Sequence, residues 1–303
     1  MPVQVQSTQC RSALTRTGIP GVQYALNPYT GCTHACVYCY ASFMKRFSGH
    51  TEPWGTWVDA KENIALVFRK ELARMSSRCR RSSGGPGDTN PTIMLSSVTD
   101  PYQPIEGSLG LTRACLEVVA EAIGVSRQTS LGLEFDPPVS FAPEVSVLTK
   151  SALVTRDIPI LRDLPGSEVG MTITTLDDAL ARQIEPGASA PGARLRALEQ
   201  LAHAQIRTWA FISPVLPYYS DSSESLSTLI KRIADTGVSR IAVDRLNLYP
   251  AAVSGFAKAS CPEAVKALRD YKSSPQTYLT RLRDAVLEAA AEAGAKVPIK
   301  VFF

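Results

Sequence analysis

The sequence predicts an α/β chain of parallel strands joined by helical crossovers, curled into a complete or partial β/α barrel. Three observations carry this. Short apolar runs alternate with segments of helical period through most of the chain. Each gap between successive runs is long enough for a crossover helix, which parallel strands require. Five or six such units occur, which suits a barrel better than an open sheet. The chain has 303 residues, enough for one large α/β domain or two small ones.

The elements follow in order. Residues 1–21 are polar and are expected to wrap the surface as an N-terminal extension. Val22 to Leu26 is a short strand, ended by the turn Asn27-Pro28-Tyr29-Thr30-Gly31. A cysteine-rich loop comes next. Val58 to Met75 has the period of a helix, with Ile64, Val67, Phe68 and Leu72 on one face and Asp59 as its cap. Residues 76–91 are rich in Ser, Arg and Gly and read as a linker. Thr92–Ser97, Val145–Thr149, Glu168–Thr174, Ile206–Ile212 and Arg240–Asp244 read as strands. Leu111–Ile123, Arg156–Leu164, Leu176–Ile184, Arg194–Ala204 and Leu226–Thr236 read as the helices between and after them. Glu263–Tyr271 and Tyr278–Ala293 are helices of a C-terminal extension, 251–303, which closes on the apolar segment Val297–Phe303.

Composition excludes several classes. At 45% hydrophobic and 20% charged, with a net charge of +4, the chain is too apolar and too nearly neutral for disorder. No run of about 18 uncharged apolar residues exists, so no membrane span is expected. Met1 to Arg16 lacks the apolar core of a secretory leader, and a cytoplasmic location is expected. A charge of +4 spread over this length argues little for nucleic acid. The basic run Arg74, Arg78, Arg80 and Arg81 sits among Ser and Gly and reads as solvated chain. The sequence holds no GxGxxG fingerprint, P-loop or HExxH.

The cysteines are more telling. Seven occur, and three of them, Cys32, Cys36 and Cys39, fall within Gly31-Cys32-Thr33-His34-Ala35-Cys36-Val37-Tyr38-Cys39-Tyr40. The odd count and large core argue against a secreted disulfide scaffold. Three thiolates in a C-x₃-C-x₂-C run can take three corners of a cubane iron–sulfur cluster, and soft ligands suit iron–sulfur or zinc. A structural zinc site would want a fourth ligand. Cys10 and Cys79 lie outside the loop, and His34 lies between two of the cysteines, where the loop would have to fold back sharply. On the residues alone an iron–sulfur electron carrier and a zinc-stapled binding module therefore remain open.

C-x₃-C-x-aromatic-C, early in a β/α chain, resembles the radical S-adenosylmethionine (SAM) superfamily. Asn27-Pro28-Tyr29 through Cys39-Tyr40-Ala41, Thr99-Asp100-Pro101-Tyr102-Gln103-Pro104-Ile105-Glu106, Leu111-Thr112-Arg113, Thr149-Lys150-Ser151, Arg156-Asp157, Glu185-Pro186 and Arg194-Leu195 are similar to the spore photoproduct lyase-like subfamily. The similarity spans about residues 22–250. It implies a partial (β/α)₆ TIM-type barrel over that stretch, holding one [4Fe–4S] cluster on Cys32, Cys36 and Cys39. It implies SAM on the open iron, reductive cleavage of SAM to a 5′-deoxyadenosyl radical, and hydrogen abstraction from a substrate carbon. It also implies an external one-electron donor of flavodoxin or ferredoxin type.

The same resemblance suggests the residues around SAM. Lys150, ending a strand, would meet the carboxylate. Thr99 and Asp100 would meet the amino group, and Tyr38 would lie along the adenine. Thr172 would sit near the ribose, and Tyr40 completes the cofactor-binding set. Glu185 and Arg194 read first as a structural ion pair between helices.

Two departures from the subfamily bear on the substrate. Spore photoproduct lyases repair thymine dimers with a cysteine beside the Ser/Thr-Asp segment, and Val98 stands there in this chain. The missing thiol turns the expectation toward a small-molecule or nucleoside-type substrate, with a nucleic-acid lesion lyase or base-modifying enzyme as the alternative. Residues 126–144, carrying Glu134, Asp136, Phe135 and Phe141, read as an insertion that could wall the pocket.

Overall fold

A computed structural model of the chain describes residues 3–81, 90–124 and 141–303. Its strands are β1 (Gln4–Thr8), β2 (Leu14–Arg16), β3 (Tyr24–Leu26), β4 (Tyr29–Thr30), β5 (Trp57–Lys61), β6 (Thr92–Leu95), β7 (Glu144–Thr149), β8 (Glu168–Thr172), β9 (Arg207–Val215), β10 (Ile241–Arg245) and β11 (Ile299–Val301). Eight form one sheet in the order β11-β10-β9-β8-β7-β6-β3-β2. From β3 through β6 to β11 every neighbouring pair is parallel; β2 alone runs antiparallel, against β3. Among the described residues the two outer strands, β11 and β2, are not paired with each other, so the sheet does not close, as in a partial TIM-type barrel.

The alternation along each strand sorts the side chains. On β8, Val169 and Met171 are fully buried, while Glu168 and Thr172 line the lumen. On β9, Ala210 and Ile212 are buried, and Arg207, Trp209, Phe211 and Ser213 face the lumen. The outward residues pack beneath crossover helices, among them Leu111–Ala122 with Cys115 and Leu116 buried, and Pro191–His203 with Leu198 and Leu201 buried. Asp177 caps the helix Asp178–Ile184, accepting from the Ala179 N–H at 2.7 Å and the Leu180 N–H at 3.1 Å.

Several sequence expectations change. Val58 to Lys61 is strand, not helix. β5 pairs in parallel with β1, some fifty residues away, and antiparallel with β4. The helix begins at Ile64. Asp59 caps nothing; its carboxylate meets His50 Nε2 at 2.8 Å. The polar N-terminal stretch holds two strands, because QVQST at an edge pairs through its backbone and leaves its side chains in water. The start of the expected linker, 76–81, is helical; the remainder to residue 89 lies outside the described residues. Arg156–Leu164 resolves into a 3₁₀ turn, Ala152–Asp157, and one turn of helix, Ile158–Leu161. A helix at Pro250–Ala259 was not expected at all. Of the suspected insertion, 126–140 also lies outside the described residues; Phe141 is buried in the core, and Glu144 opens β7.

Candidate functional site

The cysteine loop leaves β4 through Gly31 and enters a 3₁₀ turn, Tyr40–Met44, at Cys39. Two tight turns shape it: the Ala35 N–H donates to the Cys32 carbonyl at 3.3 Å, and the Cys39 N–H to the Cys36 carbonyl at 3.1 Å. Ala35 sits in the left-handed region at φ +52°, an uncommon state for a residue with a Cβ. Cys32 is buried, and Cys36 and Cys39 are partly so. All three line a cavity of about 930 Å³ that runs along the barrel lumen, and they border it at the C-terminal ends of the strands, where β/α barrels carry their chemistry.

Backbone contacts clamp the loop. The Val37 N–H donates to the Ile184 carbonyl at 2.9 Å, and the Gly187 N–H to the His34 carbonyl at 3.0 Å. Two glycines make the approach possible. A Cβ on Gly187 would lie 2.0 Å from the Thr33 carbonyl oxygen, and one on Gly255 would lie 2.0 Å from the Val37 carbonyl oxygen. Gln103, fully buried, accepts from the Thr33 N–H at 2.9 Å and donates to the Thr99 hydroxyl at 3.1 Å. The Thr99 hydroxyl in turn donates to the Gly31 carbonyl at 2.5 Å.

Asp100 ties this loop to β7. Its Oδ1 accepts from the Thr149 hydroxyl at 2.6 Å and the Tyr102 N–H at 2.9 Å. Its Oδ2 accepts from the Lys150 N–H at 2.8 Å and lies 3.2 Å from His34 Nδ1. Burial alone would raise its carboxyl, but the adjoining His34 and these hydrogen bonds outweigh that and hold it at about 2.

A second buried network supports Tyr38. Its hydroxyl donates to Glu185, whose carboxylate also accepts from the Thr174 hydroxyl at 2.8 Å and pairs with Arg194. Arg194 also donates to the carbonyls of Thr172 at 3.0 Å and Ser189 at 2.7 Å. The expected Glu185–Arg194 pair is therefore present, and it also braces the site. Lys150 reaches over the Tyr38 ring, its Nζ 5.7 Å from the centroid, and has no carboxylate partner among the described residues.

Of the sequence candidates, Cys32, Cys36, Cys39, Tyr38, Tyr40, Thr99, Asp100, Lys150 and Thr172 all border the one cavity. The Tyr40 hydroxyl donates to the Ser97 carbonyl, while the residue stays nearly half exposed. Thr99 and Asp100 direct their polar atoms at the cysteine loop and β7. Cys115 packs in the core, and Cys10 and Cys261 do not border the cavity.

Sequence reasoning weighed His34 only as a fourth metal ligand, gave Gln103 no role of its own, and passed over Gly187, Gly255 and Ser96. Ser96, after β6, has φ +65° and a buried hydroxyl; neither that oxygen nor His34 Nε2 has a hydrogen-bond partner among the described residues. Both residues line the cavity. Such orphans are costly in a dry interior and point to a ligand or water. Asp244 and Arg245, at the end of β10, also line it, and burial pushes the Asp244 carboxyl up.

With this geometry in view, the comparisons define the class of protein. The Radical SAM superfamily model matches residues 26–230, and the chain belongs to that superfamily. Its members bind a [4Fe–4S] cluster and SAM, and the chain is an enzyme of that kind. Among curated proteins it is 31% identical over 215 residues to an uncharacterized protein of Methanocaldococcus jannaschii, covering 71% of this chain and 69% of that one. It is 30% identical over 302 residues to an uncharacterized protein of Mycobacterium tuberculosis, covering 93% and 79%. Among solved structures, spore photoproduct lyase with dinucleoside spore photoproduct aligns at a TM-score of 0.67 and 14% identity, over 98% of this chain and 82% of that one. Streptococcus suis SuiB bound to SAM aligns at a TM-score of 0.52 and 11% identity, over 100% and 51%. At these identities the likeness is one of fold.

The donor set fits the family's cofactors. Burial pushes all three thiols up; Asp100 adds to the rise at Cys32, while Lys150 opposes it at Cys36. Soft thiolates would form as metal binds and protons leave. Among the described residues no three His, Cys, Asp or Glu side chains are gathered closely enough for a single metal ion. A cubane asks for less convergence, since each of its corners takes one thiolate. The space beside the thiols, with two orphaned polar atoms and an unpaired ammonium, fits a charged amino-acid cofactor.

Proposed function

We propose that Cys32, Cys36 and Cys39 each give one thiolate to a [4Fe–4S] cluster and that SAM occupies the cavity beside them. The observation that carries this reading is the opening of all three thiols, from one clamped loop, into a cavity that also holds Lys150. When bound, cluster and SAM together supply reductive cleavage of the sulfonium and a radical that takes hydrogen from a substrate carbon.

The chain's own residues orient and enclose. Lys150, carried by the Tyr38 ring, is assigned to the SAM carboxylate. Thr172 and Tyr40 are assigned to the cavity wall against SAM. Thr99 and Asp100 already use their hydrogen bonds within the protein, so they are assigned to holding the loop and the Lys150 backbone in place.

The reading extends to the substrate: a small molecule or nucleoside-type metabolite. The lumen beyond the cysteines is lined by Ser146, Thr172, Ser213, Trp209 and Phe211, a mixture of hydroxyls and rings. Its far end carries Glu168 bound to Arg240. A mixed surface inside a barrel lumen suits a compact ring-bearing molecule better than a duplex. The catalytic barrel is placed at 22–250, flanked by extensions 1–21 and 251–303, which add β2 and β11 to its sheet. No helix among the described residues is long and apolar enough to cross a membrane. Thiols held free in the cavity suit a reducing compartment, and a cytoplasmic location is part of this reading.

Anaerobic reconstitution with iron and sulfide, followed by dithionite and SAM, tests it. The expected products are 5′-deoxyadenosine and methionine, reduced to background in Cys36→Ala. A loaded cluster that leaves SAM intact would instead indicate an electron carrier, and stoichiometric zinc without iron a binding module. Either result overturns the proposal.

A further inference from the structure

The segment directly after Cys39 exposes what folded proteins usually cover. Phe47 is 75% exposed, Phe43 40% and Tyr40 46%, and the rings of Phe43 and Phe47 meet edge to face at 6.3 Å. Arg46 stands exposed between them, with no carboxylate partner among the described residues. The stretch from Tyr40 to Gly49 contains no Asp or Glu.

This exposure comes on a well-anchored segment. The Ser42 hydroxyl donates to the Cys39 carbonyl at 2.9 Å, fixing the turn to the cysteine loop. Lys45 Nζ donates to the Thr51 carbonyl at 2.7 Å, and Gly49 ends the helix Lys45–Ser48 in the left-handed region. His50 stacks on Trp57 at 4.0 Å, holding the return of the chain. An aromatic, cationic knob, with Glu52 as the first carboxylate after it in the chain, is thus attached to the backbone of one cysteine thiol that lines the cavity.

We infer that Phe43, Arg46 and Phe47 form the docking surface for an acidic, low-potential ferredoxin-type protein that reduces the site. The inference rests on the proposed function, which needs an electron from outside. Exposed rings supply contact area, the positive charge selects a negative partner, and a small interface suits a transient electron-transfer encounter. One electron leaves the partner's reduced iron–sulfur centre, which is oxidised by one electron. The centre held by the three cysteines is reduced by that electron. No covalent bond is made or broken.

The test compares two reductants on the reconstituted chain. With reduced ferredoxin, Arg46→Glu and Phe47→Ala should slow bleaching of the iron–sulfur absorbance by about tenfold or more. Wild-type reduction should slow as salt rises, and Arg46→Glu should lose that dependence. With dithionite, which needs no docking, both variants should match wild type, which also shows that they fold. Binding of oxidised ferredoxin, followed by calorimetry, should weaken in parallel. Because reduction and binding are read without SAM, failure of the chain to cleave SAM is a separate result. Wild-type rates of reduction by ferredoxin in both variants would overturn the inference. So would variants that keep those rates and instead lose salt-sensitive binding of a single-stranded oligonucleotide.

Discussion

At the N-terminal ends of the strands, Glu168 is met on every side. Arg240 binds it through two hydrogen bonds, at 2.7 and 2.8 Å, Arg207 approaches to 3.5 Å, and the Ser146 hydroxyl donates at 3.2 Å. Arg240 also lies 4.8 Å from the Trp209 ring centroid. At the C-terminal ends of the same strands, Lys150 lacks a carboxylate partner among the described residues, Ser96 Oγ and His34 Nε2 lack partners, and Ala35 and Ser96 are left-handed. One barrel therefore pairs its charged side chains at one end, where the Trp209 indole nitrogen is left without a partner, and leaves an ammonium, an imidazole nitrogen and a hydroxyl open at the other. Pairing serves stability, whereas open valences and local strain persist where surrounding structure holds them for a ligand.

The sharpest way to break this contrast is at the clamp behind the cysteines. Gly255→Ala puts a methyl where only the Val37 carbonyl oxygen fits, so the loop or the helix Pro250–Ala259 must yield. A displacement of about 1 Å at a catalytic loop can cost on the order of 10²-fold in rate. SAM cleavage with dithionite should fall by about that factor, with far-UV circular dichroism unchanged. A variant of wild-type rate would show that the clamp does not set the loop.

Asp100→Asn probes the adjoining hub and should do less. Each oxygen of Asp100 accepts from one backbone N–H, of Tyr102 on one side and Lys150 on the other. An amide can satisfy only one of them, whichever way it turns. The unpaired buried donor costs about 1–3 kcal/mol. The affinity for SAM should fall by about tenfold, within the range for residues that orient a metal site from behind it. Full SAM affinity in Asp100→Asn would refute the assignment of this carboxylate to positioning.

These positions also show what could be read beforehand. Cys32, Cys36 and Cys39 and the alternating strands were legible because both signals are local: one is a spacing, the other a period. The three-stranded sheet was not. β5 takes its register from β1, far off in sequence, while Trp57–Lys61 adjoins a helix whose apolar period runs back into it. Gly187 and Gly255 looked like ordinary glycines, since the carbonyl each must admit comes from a distant segment. The helix Pro250–Ala259 did carry a local mark, Pro at its first turn, that could have found it. Asp100 was legible as a site residue but not in its duties, because the four donors around it come from three separate stretches of chain.

The smallest effect is expected at the paired end, and its sign follows from the carboxyl of Glu168. Burial alone would raise it, but hydrogen bonds from Arg240, the charges of Arg240 and Arg207, and Ser146 hold it below the usual carboxylate range. A carboxyl lowered on folding stabilises the native state fully above its unfolded value, about 4.3. That contribution disappears as pH falls through the lower folded value. Glu168→Gln should therefore cost about 1 kcal/mol at neutral pH, because Arg240 and Arg207 are partly exposed and water compensates them. The deficit should shrink as pH is lowered through the acid range, while SAM cleavage at neutral pH stays at the wild-type rate. Denaturant melts of both proteins across pH read the first result, and 5′-deoxyadenosine yield reads the second. A deficit that held constant with pH would mean that Glu168 acts through packing alone. A large loss of SAM cleavage would mean that the two ends of the lumen are not separable.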